Sequence, residues 1–367
     1  MKSVLVVIGT RPEAIKLAPI LMAMGKSRGF EYKVCITKQH TDLLEPVLLH
    51  LGIRANYELR NNGSQGSLHQ SAARILKQFE AVLTEAKPNL VLVQGDTTSA
   101  FIAALAAFYS YIPVAHVEAG LRTGDLRAPW PEEGHRCLID QLTNYFFAPT
   151  LKARNALLAE GAIPENVWVV GNTSIDAIRI ARVPSKSTID DPKCRFIVVT
   201  IHRRENHGEP LKEICRAILR ISEQFLDVRI VFLLHPNLAI RQPVIDILSE
   251  IKNINLLEPI DHSSFIQVLD KSTFVITDSG GVQEECSFLG KPILITRNTT
   301  ERQEVVQAGT ARLVGTKADH IVACCKELLT NKEMLSSMSK VHFPYGDGYA
   351  AERIVDILNL KLCGDCS

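Results

Sequence analysis

The sequence predicts an α/β fold built on two parallel sheets, and three observations predict it. Apolar runs of strand length alternate with amphipathic runs of helix length along the chain. The strand runs are continuously apolar, as in strands covered by helices on both faces. They number twelve, too many for one comfortable doubly wound sheet, and 367 residues suit two domains.

In the first half, strands are predicted at 4–8, 32–37, 90–94, 112–117, 145–148 and 167–170, with helices at 67–85 and 98–109. A helical stretch at 174–182 and the polar run SKSTIDDPK at 185–193 bracket a domain boundary between Gly171 and Lys193. The second half repeats the pattern, with strands at 196–201, 230–234, 254–257, 274–277, 293–296 and 311–314, and helices at 211–224, 282–289 and 320–329. Two sheets of about six strands follow.

Composition narrows the function classes. Lys plus Arg is 41 and Asp plus Glu is 40, a net charge of +1, which argues against a nucleic-acid binder working by bulk electrostatics. No apolar run approaches the ~20 residues that cross a bilayer, and the run at 4–8 is shorter than a secretory core. No membrane association and a cytoplasmic location are therefore expected. The nine cysteines are scattered, mostly in apolar stretches, and the terminal Cys363-Gly364-Asp365-Cys366 lacks two further zinc ligands.

Ligands of open α/β sheets bind beyond the carboxyl ends of the strands, so those ends carry the chemistry. There the chain places Gly9-Thr10-Arg11-Pro12-Glu13, Gly95-Asp96-Thr97-Thr98, Glu118-Ala119-Gly120-Leu121-Arg122, His202-Arg203-Arg204-Glu205, His235-Pro236-Asn237, Asp278-Ser279-Gly280-Gly281 and Thr299-Thr300-Glu301-Arg302. The pattern predicts a cleft lined from both sheets. Asp278-Ser279-Gly280-Gly281 opens a helix with two glycines and reads as a diphosphate cradle, against the plainer reading of a capped turn. Arg11 and Lys16 can neutralise phosphate, though a helix lysine is usually solvated. Asp96, Glu118 and Glu132 are candidate acid/base carboxylates, Asp96 and Glu118 following neighbouring strands; for Asp96 the alternative is a helix N-cap. His202 and His235 end strands and have the same ambiguity. No HExxH, GxSxG, GxGxxG or Walker loop is present, so neither metal nor dinucleotide is expected.

Taken in order, the segments GTRPEAIKLAP, QH, GDTT, PVAHVEAGLRTGD, PWPEE, FAPT, GNTSIDA, HRREN, DSGGVQEE, LGKP, TTER and PYGDG closely resemble the non-hydrolysing UDP-N-acetylglucosamine 2-epimerases of bacteria, from Gly9 to Gly348. The resemblance implies two Rossmann-like domains with a central cleft, like glycosyltransferase-B enzymes. The domains would be 1–170 and 171–348, with a last helix at about 349–367 returning to the first. It implies reversible inversion of carbon 2 of UDP-N-acetylglucosamine to UDP-N-acetylmannosamine, by elimination and re-addition of UDP through a 2-acetamidoglucal. A homodimer, no cofactor, no metal and a role in polysaccharide biosynthesis go with it. Asp96, Glu118, Glu132 and His202 match the family's catalytic positions. Arg11, Lys16, Phe265, Ser279, Gly280, Gly281, Glu285 and Arg302 match its UDP-binding positions, Phe265 lying against the uracil. Gln39 and His40 match the region of its allosteric site. Thr41 and Gly134-His135 depart from the usual pattern, which carries a basic residue and x-Asn there. The alternatives are a 2-epimerase of a related UDP-sugar, a retaining UDP-sugar glycosyltransferase of the same fold, and a catalytically silent nucleotide-sugar sensor.

Overall fold

The computed structural model describes residues 2–38, 44–60, 67–181, 195–300, 302–341 and 344–364. Contacts divide the chain into two compact units, Met1–Ala177 with Tyr345–Ser367, and Ile178–Pro344.

The first unit contains β1 (Lys2–Ile8), α1 (Arg11–Met24), β2 (Phe30–Ile36), α2 (Glu45–His50), β3 (Tyr57–Glu58), α3 (Leu68–Ala86), β4 (Leu90–Gln94), α4 (Thr98–Tyr109), β5 (Val114–Val117), α5 (Glu132–Leu142), β6 (Tyr145–Ala148), α6 (Leu151–Ala159), β7 (Val167–Val169) and most of α7 (Thr173–Ala181), within which the division falls. The second holds β8 (Arg195–Thr200), α8 (Glu209–Gln224), β9 (Val228–Leu233), α9 (Leu238–Leu248), β10 (Ile254–Leu257), α10 (His262–Lys271), β11 (Phe274–Thr277), α11 (Gly280–Leu289), β12 (Ile293–Ile295), α12 (Gln303–Gln307), β13 (Ala311–Leu313), α13 (Ala318–Thr330) and α14 (Lys332–Met338). The final helix, α15 (Ala350–Cys363), belongs to the first unit.

Both sheets are wholly parallel, with orders β3-β2-β1-β4-β5-β6-β7 and β10-β9-β8-β11-β12-β13, so each unit is Rossmann-like. Thirteen strands replace the predicted twelve. The addition is β3, two residues long and too short to show a period, which extends the first sheet by pairing beside Cys35 and Ile36. Strand order reverses between β1 and β4 in one sheet and between β8 and β11 in the other. Those two switch points are where open sheets leave a crevice.

The continuously apolar strands are explained by their surroundings. In β1, Val4, Val6 and Ile8 enter one core, while Leu5 and Val7 enter another on the opposite face. The first of these cores also takes Ala350, Ala351, Ile354, Val355 and Leu358 of α15, opposite Leu17, Ile20 and Leu21 of α1. The start of α15 is fixed by Asp176, buried in α7, which accepts from the Ala350 and Ala351 amides at 3.2 and 2.8 Å. Gly171 and Gly346 cross beside this anchor with φ of +98° and +104°, and a Cβ on Gly346 would lie 2.8 Å from the Gly171 Cα. Only glycine satisfies both conditions there. Among the described residues, no helix is long and apolar enough to cross a membrane.

Candidate active site

At the switch point of the first unit, Glu13 organises the β1–α1 turn. Its buried carboxylate accepts from the Gly9 amide at 2.8 Å, the Thr10 amide at 2.6 Å and the Thr97 hydroxyl at 2.6 Å, tying the turns after β1 and β4 together. Burial pushes this carboxyl up, and the Thr97, Gly9 and Thr10 bonds oppose it. Arg11 follows at the first position of α1, half-buried and without a partner among the described residues.

Glu118, at the end of β5, is 8% exposed and has a φ of +71°, a left-handed backbone that costs a non-glycine residue about 1–3 kcal/mol. Side chains from other elements hold it. Lys16 lies 2.5 Å from Oε2, Gln94 donates to the same oxygen, and Asn172 donates to Oε1 at 3.2 Å. Lys16 is therefore turned inward, not solvated. Asp96, after the neighbouring strand, takes a hydrogen bond from Arg136, which also pairs with buried Glu133 at 3.1 Å. The N-cap reading of Asp96 is corrected: Thr97 caps α4, its hydroxyl accepting from the Ala100 amide at 3.0 Å. Nor do Asp96 and Glu118 face each other unscreened, since each has a cation of its own. Glu132 opens α5, half-buried and without a hydrogen-bond partner among the described residues. Glu133 beside it is the structural one, accepting from the Thr123 and Gly124 amides at 2.8 and 3.1 Å.

At the switch point of the second unit, His202 follows β8 and Asp278 follows β11. Asp278 has no exposed surface, and its carboxylate accepts from the His202 ring Nδ1 at 2.8 Å, the His202 and Arg203 amides at 3.1 and 2.9 Å, and Asn206 at 2.8 Å. Burial alone would raise this carboxyl. The bond and charge of His202, the Arg203 amide and Asn206 hold it below the usual carboxylate range. The His202 side chain is 41% exposed, with Nε2 directed away from Asp278. His235 stands 6.4 Å from it, ring to ring, and its Nδ1 accepts from the Asn237 amide. Burial, and then the neighbouring His202, hold His235 below the ordinary imidazole value.

The residues after Asp278 form the start of α11. Ser279 is its N-cap, and the first turn, Gly280, Gly281, Val282 and Gln283, contains no acid. Gly281 is exposed and lacks a positive φ, and a Cβ there would meet nothing nearer than 4.0 Å. The fold does not demand glycine here, and its absent side chain leaves the amides open to close approach. Glu285, one turn on, accepts from the His262 ring Nε2 at 3.0 Å through Oε1, while its buried Oε2 has no partner among the described residues. Arg302 pairs with buried Glu284 at 2.8 Å. Phe265, in the first turn of α10, is half-buried. Gln39 and His40 lie outside the described residues.

Within the first unit, side-chain contacts join Lys16 to Glu118 and Asp96 to Arg136. Within the second, they join His202 to Asp278 and Arg302 to Glu284. The supporting residues that sequence reading missed are Glu13, Gln94, Arg136 and Asn172, together with the role of Asp278 as partner of His202. Each lies in or beside a recognised motif, yet at least one of its bonds reaches a partner 24 or more positions away. Among the described residues, no group of three or more His, Cys, Asp or Glu could hold a metal ion.

The family model described as UDP-N-acetylglucosamine 2-epimerase matches residues 22–359. The UDP-N-acetylglucosamine 2-epimerase of Escherichia coli (strain K12) is 44% identical over 367 residues, covering 97% of this chain and 98% of that protein. The crystal structure of UDP-GlcNAc 2-epimerase from Neisseria meningitidis bound to UDP-GlcNAc is 42% identical and superposes with a TM-score of 0.90, covering 97% of this chain and 99% of that one. The S. aureus MnaA–UDP co-structure is 39% identical, with a TM-score of 0.91, and covers 100% of this chain and 98% of that one.

Proposed function

The chain belongs to the UDP-N-acetylglucosamine 2-epimerase family, and from that premise we propose that it interconverts UDP-N-acetylglucosamine and UDP-N-acetylmannosamine by eliminating and re-adding UDP. The observation that carries this reading is the turn Asp278–Gly281. One carboxylate orients His202, and the next three residues open a helix whose amides suit a diphosphate. The partner that orients a proton-transfer group and a grip for the leaving group thus come from a single turn.

The chemistry explains the need for both. The carbon-2 proton is not adjacent to a carbonyl, so direct abstraction is implausible. Elimination breaks the C1–O and C2–H bonds, forms the C1–C2 double bond and sends the electron pair out with UDP. Re-addition reverses this after a proton reaches the other face of carbon 2. Positive character at carbon 1 is met by carboxylates, and charge on the departing diphosphate by the α11 amides and Arg11. Asp96, Glu118, Glu132 and His202 are the groups for acid/base and electrostatic work. Lys16, Ser279, Gly280, Gly281, Glu285, Arg302 and Phe265 serve UDP. The unpartnered Glu285 oxygen suits a ribose hydroxyl, and the Phe265 face suits uracil. The reaction is redox-neutral and needs no cofactor. A homodimer is part of the proposal, supported by exposed Phe108, Tyr109 and Tyr111 at the end of α4.

Incubation with UDP-N-acetylglucosamine in deuterated water tests the reading. NMR is expected to show deuterium at carbon 2, the manno epimer, and traces of glycal with free UDP. Epimer without deuterium, or inert substrate, would overturn it.

A further inference from the structure

The turn between β4 and α4 carries Asp96, and imidazoles hold its main chain from two sides. Gly95 sits at a φ of +72° and donates its amide to the Val117 carbonyl at 3.0 Å. His116, in β5 and fully buried, brings Nε2 within 2.8 Å of the Gly95 carbonyl oxygen. His135, in the first turn of α5, brings Nδ1 within 3.0 Å of the Asp96 carbonyl oxygen. A carbonyl only accepts, so each of these nitrogens carries its proton. His116 donates through Nε2 and His135 through Nδ1, the opposite ring positions.

Neighbours fix both rings. The His116 Nδ1 lies 2.6 Å from Asp140 Oδ1, and Asp140 Oδ2 accepts from the Gly120 amide at 3.1 Å and from Arg122 at 2.8 Å. Arg122 continues to Glu160 at 2.6 Å. His135 stacks on Phe101 of α4, with ring centroids 5.2 Å apart and planes at 19°. Burial holds His135 below the ordinary imidazole value, against the opposing pull of Asp96 and Glu132, which suits a neutral ring with its single proton on Nδ1. Arg136, the next residue, bonds the Asp96 carboxylate.

We propose that His116 and His135 form a two-imidazole clamp on the consecutive Gly95 and Asp96 carbonyls, fixing both peptide planes and thereby the attitude of the Asp96 carboxylate. They are positioning residues that do not touch substrate. The clamp rests on the reading of Asp96 as an acid/base group. Its purpose is geometric, because a carboxylate displaced by ~1 Å from its reacting atom can lose ~100-fold in rate.

His135→Leu and His135→Asn separate the clamp from mere filling of space. Leucine fills the site without a donor, whereas the asparagine Nδ2 falls close to the histidine Nδ1 and donates. His135→Leu is expected to lower kcat by ~10- to 100-fold while KM and UDP affinity change little. His135→Asn is expected to recover most of that loss. Ring 15N–1H correlation spectra of the unmodified protein are expected to show His135 as the Nδ1–H tautomer and a persistent His116 Nε2 proton. Equal rates in the two variants, or an Nε2–H tautomer at His135, would overturn the clamp; the spectra decide even if a variant fails to fold. Asp96→Asn runs alongside. If it retains activity, the reading of Asp96 fails; if it is inactive while His135→Leu is not, only the clamp fails.

Discussion

Asp278→Asn is the most informative single substitution. It keeps the shape of a side chain that accepts from the His202 ring, two backbone amides and Asn206, but turns one acceptor oxygen into a donor. At least one buried donor then faces another donor. A hydrogen bond to a charged acceptor is worth about 1.5–3 kcal/mol, and 1.36 kcal/mol is tenfold in rate. Loss of the His202 bond alone should lower kcat by roughly 100-fold. UDP affinity, read by calorimetry, should change by less than about threefold, because the α11 amides are untouched. Stability near neutral pH should fall by roughly 3 kcal/mol in urea melts. The sign with pH is fixed. The Asp278 carboxyl is held below its usual range, so its stabilisation is present above the ordinary carboxylate value and is lost as pH falls through the lowered one. The stability gap between parent and variant should therefore narrow in acid. In a His202→Ala background the same substitution should cost little further rate. Full kcat in Asp278→Asn, or equal losses of kcat and UDP affinity, would refute the reasoning.

Other expectations follow from the same geometry. Asp96→Asn, Glu118→Gln, Glu132→Gln and His202→Ala should each lower turnover by about 10²–10⁴-fold with unchanged circular dichroism, and near-normal rates in all four would remove the site assignment. Gly281→Val should leave the melting temperature nearly unchanged, since a Cβ there has open space, yet weaken UDP at least tenfold in calorimetry by crowding the amides. Burial pushes the Cys35 and Cys215 thiols up to about 12, so in native alkylation read by mass spectrometry at pH 8 exposed Cys363 should react well before either.

Much of the fold was legible because buried parallel strands announce themselves by composition. β3 was not, since two residues carry no period. The strand-end motifs were legible because open sheets place ligands there. What stayed hidden were the pairings. Lys16 meets Glu118 across 102 positions and His202 meets Asp278 across 76, separations no local pattern encodes. His116 meets Asp140 across 24 positions, again beyond any local pattern. The cap of α4 is ambiguous in the sequence because Asp96 and Thr97 are adjacent and equally suited by type; only the backbone shows that Thr97 has the extended conformation of the N-cap.

The return of α15 also dictates an order of events on the ribosome. Five residues of this helix fill the core beside β1, so the unit begun first during synthesis must wait for its last-made helix. The segment Ile178–Pro344 has its whole sheet in hand earlier. In the growing polypeptide the later unit is therefore the one equipped to fold first, with the core of the earlier unit incomplete until α15 has been made.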